Sequence, residues 1–517
     1  MPQVLYVPLD ERACNYRFPQ KLAQMTHDMT LLVPPVESMG CLKTPADRER
    51  LWSWLAENAP QCEYAVLSVD TLVYGNIIAS RTHHLTCGDC AALLQRFRAL
   101  KERCPQLHIH AFNLAARVAA YNDAHEDPDY WATQGWNLWR LTYLEDKIAS
   151  GCADDGEKAE HAALQSAIPA DILADFLARR KVDRFTNLAC VDLVREGVFD
   201  VLTIPKDDTA EYGCAAMDQR AIAEKVRAER LMDRVLVYPG ADEVGSVLFA
   251  RVFCLAHAYT PRVYVRYSST LGPTVVPKYE DRPLHEGVKA QITSAGGVVE
   301  DNTDHADCML ALNAPGRHMI EAADQDKKDL TFSSCLNMNE FLRYCSYFAR
   351  EYGKPIGLAE VSVCNGCERE FMEDALLTGV LDKVQCTGGW NTAQNTIGVV
   401  LAQLILAAYY RGFADAPRQR QISEEFKLRS IVCDWFFQSD ALPAFLAASR
   451  GKIDPYFLRE HKEETKAFIA ARLQQCIAEK LGGVYHGQTI VLRGLDFNWD
   501  GVFYIDLDVG LQSAAPQ

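Results

Sequence analysis

Two stretches of this 517-residue sequence share one order of residue types, and that order constrains the fold more than any other feature. Residues 235–251, VLVYPGADEVGSVLFAR, pass from a short apolar run through Pro239-Gly240 to the adjacent acids Asp242 and Glu243, then into a helix-compatible segment. Residues 201–213, VLTIPKDDTAEYG, repeat the pattern with Asp207 and Asp208. A short apolar run bounded by turn residues predicts a strand buried on both faces, and strands alternating with helices predict a parallel sheet. Ligands bind at the carboxyl ends of such strands, where loops have no packing duty. Each acidic pair falls at such an end.

Similar strand-length runs occur at residues 4–7, 31–33, 64–69 and 107–112. The first opens into Asp10, Glu11, Arg12 and Asn15, more hydrogen-bonding groups than a turn needs. After the second, Thr44-Pro45-Ala46-Asp47 predicts a helix start capped by Thr44. The third ends in Asp70, with Tyr74, a turn through Gly75-Asn76, and Arg81. Asp70 and Arg81 suit either a buried ion pair or an arginine clamp on a polar substrate. The fourth carries His108 and His110 on one face, a spacing that a metal or a half-buried strand can use, and leads to Arg117, Tyr121, Asn122 and an acidic turn at Glu126-Asp127. Residues 131–195 read as a helical excursion from the alternation.

The fold class expected is α/β. A parallel strand–helix alternation over residues 1–258 fits a TIM-like barrel or a doubly wound sheet, since periodicity does not choose between them. A smaller Rossmann-like α/β domain is expected over residues 259–400, and a helical C-terminal region with a terminal strand pair over 401–517. In the second domain the polar stretch VQCTGGWNTAQNTIG, residues 384–398, is the most distinctive. Gly388-Gly389 permits close backbone approach, Trp390 offers a flat face, and Asn391, Thr392 and Asn395 crowd a helix start whose free N–H groups attract oxygens. A Trp beside carboxamides suits a sugar. Helices between 413 and 480 are expected to carry solvated charged faces.

A net charge of −16 argues against nucleic acid and anionic membranes as partners. The apolar helix expected at residues 397–410 falls short of the ~20 residues that span a bilayer. No basic, cleavable leader precedes the first strand, so a cytoplasmic location is expected, and the eighteen cysteines read as free thiols. The pairs Cys87/Cys90 and Cys364/Cys367 have zinc-ligand spacing but lie far apart in the chain. No dinucleotide fingerprint, phosphate loop or serine-nucleophile elbow occurs.

Taken together, VPLDERACN (residues 7–15), DTLVYGNIIASR (70–81), DDTAEYG (207–213), YPGADEVG (238–245) and GWNTAQNTIG (389–398) resemble the bacterial family DUF4127. Ala13 stands where that family's pattern has Pro, Asn76 where it more usually has a second Gly, and Glu368 near an expected Asp. The resemblance supports a site and implies no reaction.

Crowded carboxylates do acid–base work because one keeps its proton while the other ionises. The first reading is therefore a glycoside hydrolase acting on small oligosaccharides or amino sugars, with Asp207, Asp208, Asp242 and Glu243 as catalytic candidates. Asp10, Glu11, Arg12, Asn15, Asp70, Tyr74, Arg81, Asn122, Trp390, Asn391 and Asn395 are the substrate-binding candidates. No cofactor is required in that reading, and the expected partner is a small carbohydrate-like molecule, with a homo-oligomer compatible. The alternatives are a Mg²⁺- or Mn²⁺-dependent hydrolase or isomerase, with carboxylates as hard-cation ligands, and a non-enzymatic sugar-binding protein.

Overall fold

The computed structural model describes residues 1–413, 417–485 and 487–513. The chain forms two compact units. The first comprises Met1–Glu11, Thr30–Gly245 and Tyr279–Asp281, and the second Arg12–Met29, Ser246–Lys278 and Arg282–Gln517.

The first unit is built on a six-stranded sheet in the order β2-β1-β3-β4-β5-β6. Its strands are β1 (Gln3–Val7), β2 (Thr30–Leu32), β3 (Tyr64–Ser68), β4 (His108–Phe112), β5 (Val201–Lys206) and β6 (Val235–Pro239). Every pairing is parallel, as the strand–helix alternation predicted. The barrel alternative does not hold: among the described residues β2 and β6 are edges, each paired on one side only. All six residues of β5 are buried, Thr203 and Lys206 included, as a strand covered on both faces requires. Helices Trp131–Ala149, Asp155–Ala167 and Ala170–Arg195 form the expected excursion between β4 and β5.

Pro205 would interrupt a central strand, yet it sits in β5 without breaking the sheet. The β4–β5 ladder ends at Thr203. Beyond it the chain leaving β4 runs on alongside, with Ala115 N donating to the Pro205 carbonyl at 2.9 Å and Ala115 bridging Lys206. The carbonyl of Pro205 accepts there, and the N–H that proline lacks falls on the same side, just past the point where the β4–β5 ladder ends.

The second unit holds a five-stranded parallel sheet in the order β13-β11-β9-β7-β8. Its strands are β7 (Arg262–Tyr267), β8 (Val298–Val299), β9 (Cys308–Asn313), β11 (Ile356–Glu360) and β13 (Cys386–Gly388). Two short strands, β10 (Ile320–Glu321) and β12 (Val363–Cys364), pair with each other. The expected terminal strand pair is antiparallel, β14 (Gln488–Phe497) with β15 (Ile505–Ser513).

The C-terminal segment is no separate helical region. Phe341, Leu358 and Phe371 share one core with Leu428, Trp435, Phe445, Leu473 and Val509, so the helices after residue 401 complete the second sheet's packing. The expectation of solvated faces fails between 425 and 439, where Glu425, Lys427 and Asp434 are buried. Helix Ala393–Tyr409 also begins earlier than expected. With the turn after it, Ala393–Gly412 reaches 20 residues and has the length and apolarity of a membrane span, but 72% of its most apolar window is buried inside the protein. Near the start of the chain, Thr44 is not the helix cap. Helix Arg48–Asn58 is capped by Asp47, whose side chain accepts from Arg50 N.

Candidate active site

In the first unit, one polar cluster gathers at the carboxyl end of β5. Arg81 comes from helix Ile77–Thr82, whose start is fixed by Asn76 accepting from Ala79 N at 2.7 Å. Asn76 also donates to the carbonyls of Leu42 and Thr44, so the residue that departs from the family pattern has a structural task. Arg117 follows the segment that extends β4 alongside β5, and this continuation carries its guanidinium to Asp208.

Arg81 Nη2 donates to Asp207 Oδ2 at 2.6 Å, and its Nη1 donates to Glu126 Oε2 at 3.0 Å. Arg117 Nη1 donates to Asp208 Oδ2 at 3.1 Å, while its Nη2 reaches Glu126 Oε2 at 3.1 Å, Asp127 Oδ2 at 3.2 Å and Tyr121 Oη at 2.6 Å. Glu126 thus joins the two arginines. Four carboxylates face two guanidinium groups, and the excess of negative charge is relieved where it is least balanced. Burial first, and then the neighbouring Asp207 charge, push the Asp208 carboxyl up to about 6, against the pull of Arg117 and Arg81. Asp208 also lies in the left-handed region at φ 35°, rare for a side-chain-bearing residue and a form of strain that functional sites retain.

Lys206, the last residue of β5, is fully buried and pairs with Asp281 and with Gln219 Oε1 at 2.8 Å. Thr209 N donates to the Tyr279 carbonyl at 3.0 Å, tying the segment Tyr279–Asp281 to the same strand end.

The other acidic pair has a different environment. Glu243 is fully buried, and its Oε2 accepts from Ala241 N at 2.9 Å. Gly240, at φ 139°, leaves the space this carboxylate fills, since a Cβ there would lie 2.0 Å from Glu243 Oε1. Asp242 is buried beside it.

Asp70 does not pair with Arg81. It is buried at the end of β3, accepts from Asn113 Nδ2 at 3.1 Å and Leu114 N at 2.9 Å, and is pushed up to about 7 by burial. Tyr74 is buried and stacks on His83 at 4.5 Å. Asn122 accepts from Trp136 N at 2.8 Å, a contact that anchors the helix Trp131–Ala149. Asp10 is buried in the first unit beside Glu11, in a loop pinned by Thr71 donating to the carbonyls of Pro8 and Leu9. His108 is half exposed against Asp200, whereas His110 is buried.

Arg12 and Asn15 belong to the second unit, so the first polar cluster of the sequence divides between the units after Glu11. The Arg12 guanidinium lies 4.5 Å from the Trp499 ring and 4.9 Å from the Tyr504 ring. Trp390 meets Tyr504 edge-on at 6.3 Å. Asn391 is left-handed at φ 62°, and its carbonyl accepts from Asn365 N. Asn395 opens the helix capped by Thr392. The Gly388-Gly389 turn approaches protein: a Cβ on Gly389 would lie 2.3 Å from Cys367 Sγ. Behind it, Glu360 accepts from Asn313, Ser362 and Glu368 N, and burial pushes it up to about 7.

The arrangement in the first unit sets Asp207, held by Arg81, beside Asp208, whose carboxyl burial raises, with cations able to orient polar oxygens: residue types that acid–base chemistry can use. Arg117, Glu126, Asp127, Lys206 and Asp281 received no role from the sequence. Arg117, Glu126 and Asp127 stand in the polar stretch after β4, and an arginine so close to a strand end was a usable signal. Lys206 and Asp281 had none, because their pairing spans 75 residues. In the second unit Trp499 and Tyr504 were missed for the same reason.

A family model described as "Protein of unknown function (DUF4127)" matches residues 4–508. No curated protein and no solved structure matches the chain.

Proposed function

The chain belongs to the DUF4127 family, and from that premise we propose that it is a glycoside hydrolase acting on small oligosaccharides or amino sugars. One observation carries the reading: adjacent acids on one strand end are made unequal, Asp207 by the Arg81 ion pair and Asp208 by burial. A glycosidase needs one carboxyl to protonate the leaving oxygen and one carboxylate to assist at the anomeric carbon. Asp208 takes the first role. Asp207 takes the second, in a form suited to orienting a substrate acetamido group that attacks in its place. Arg81 and Arg117 hold the pair and hydrogen-bond to sugar hydroxyls. Asp242 and Glu243 line the neighbouring strand end, and Glu243 keeps the loop shape through Ala241 N.

The metal-dependent alternative is disfavoured by the same contacts, because guanidinium groups at 2.6–3.2 Å already engage the carboxylates that a hard cation would need. The reading takes the first sheet as doubly wound, supported by the reversal of strand order between β1 and β3. It places the reaction in the cytoplasm, supported by eighteen cysteines that are all free.

The test is turnover of an aryl glycoside panel that includes N-acetylhexosaminides, with and without EDTA, for the wild type and Asp208→Asn. Cleavage that survives EDTA and is lost in the variant is expected. EDTA-sensitive cleavage would establish the metal enzyme instead, and no cleavage of any glycoside would reject this substrate class.

A further inference from the structure

A cavity of about 80 Å³ lies within the second unit, between the N-terminal helix Phe18–Gln24, helix Pro417–Ser430 and β15. This is several times the ~10–15 Å³ that one water requires. Its wall carries three cations, Arg17, Lys21 and Arg429, and three acids, Glu425, Asp506 and Asp508.

Most of these charges satisfy one another. Arg17 pairs with Asp506 at 2.7 Å and Lys21 with Asp508 at 3.4 Å. Glu425 is taken by Arg493, at 2.8 and 3.0 Å, and by Leu511 N. Arg429 is the exception. Its side chain is only 11% exposed, and its nearest carboxylate oxygen, on Asp434, is 3.7 Å away, beyond a hydrogen bond. Among the described residues its one hydrogen bond is to Cys433 Sγ at 3.4 Å, a weak acceptor. A guanidinium offers five N–H donors, so Arg429 keeps donor capacity for a further acceptor beside its loose ion pair with Asp434.

The surroundings fix how Arg429 presents itself. Its guanidinium carbon stacks over the Phe18 ring at 4.4 Å, and Phe18 packs edge-on against Phe426 at 5.2 Å. Stacking occupies one face and leaves the planar edge, which matches a carboxylate bidentately. Ala13, Phe18 and Arg429 also border a second cavity of about 10 Å³, so Arg429 stands between two spaces.

We propose that this cavity binds a small organic carboxylate, its two oxygens on the Arg429 edge and its short apolar body against Phe18 and Phe426. The site lies wholly within the second unit and shares no residue with the Asp207–Asp208 cluster.

The test is calorimetric titration of the full-length protein with acetate, propionate and butyrate at constant ionic strength. Propionamide serves as the neutral isostere and inorganic phosphate as a competing anion. Saturable binding of at least one carboxylate, with none for propionamide, is expected. Arg429→Lys keeps the charge but loses the fork, and should weaken binding at least tenfold. Ala13→Leu fills the cavity with Arg429 intact and should also abolish binding, so it decides the matter if the arginine variant does not fold. Three outcomes would overturn the proposal: no saturable carboxylate binding to the wild type, equal binding of propionamide, or binding of phosphate alone.

Discussion

Arg81 lies 2.6 Å from Asp207, in an ion pair whose side chains are 4% and 11% exposed. Beside this pair, burial first and then the Asp207 charge push the adjacent Asp208 upward. Different surroundings therefore distinguish two acids that the sequence presents as equivalent: Arg81 pairs with Asp207, and burial raises Asp208.

Replacing that arginine should expose its structural cost. Arg81→Met strands the carboxylate of Asp207 in a buried site and leaves Glu126 to Arg117, and breaking such a pair typically costs about 3–5 kcal/mol. Urea unfolding should show a loss of that size, and a change within ~0.5 kcal/mol would mean the pair is not buried as described.

The proposed roles predict opposite shifts in the pH dependence of turnover. With Asp208 as the proton donor near 6, kcat/KM should fall as the pH rises through that value. Arg81→Met removes a cation that holds Asp208 down, so the falling limb should move to higher pH. Asp207→Asn removes the anion that pushes it up, so the limb of its residual activity should move to lower pH. Shifts in the same direction would assign the proton to another group.

Folding stability should also depend on pH, through two carboxyls that burial raises to about 7, Asp70 and Glu360. Each binds its proton more tightly folded than unfolded. Their contribution is therefore fully present below the ordinary carboxyl range and is lost as pH rises through about 7. Each is worth at most roughly 3–4 kcal/mol over that window. Denaturation midpoints measured from pH 4 to pH 8 should fall on this account, and Asp70→Asn should flatten the profile. A profile as steep as the wild type would remove Asp70 from the explanation.

Gly240→Ala should be disruptive for two independent reasons. The backbone stands at φ 139°, which disfavours side-chain-bearing residues, and the new Cβ would lie 2.0 Å from Glu243 Oε1. A loss of about 1–3 kcal/mol is expected, read as a lower Tm, together with a change in any activity that relies on Asp242 and Glu243. An unchanged Tm would show that this turn can relax.

Much of this was present in the residue order. The largely apolar run 201–205 followed by Lys206-Asp207-Asp208 predicts a parallel strand with acids at its carboxyl end, because strands covered on both faces are mostly apolar and charged groups collect where they end. The helical excursion before β5 and the free state of the cysteines follow from equally local rules. The tertiary structure alone decided between barrel and open sheet, since closure depends on whether β2 and β6 meet and no local pattern encodes that. It also decided that Arg81 serves Asp207 rather than Asp70, that Arg12 lies against Trp499 and Tyr504, and that among the described residues Arg429 has no carboxylate at hydrogen-bond distance. Propensity and periodicity act over a few residues, whereas charge pairing is settled by whichever partner the packed chain brings within about 3 Å.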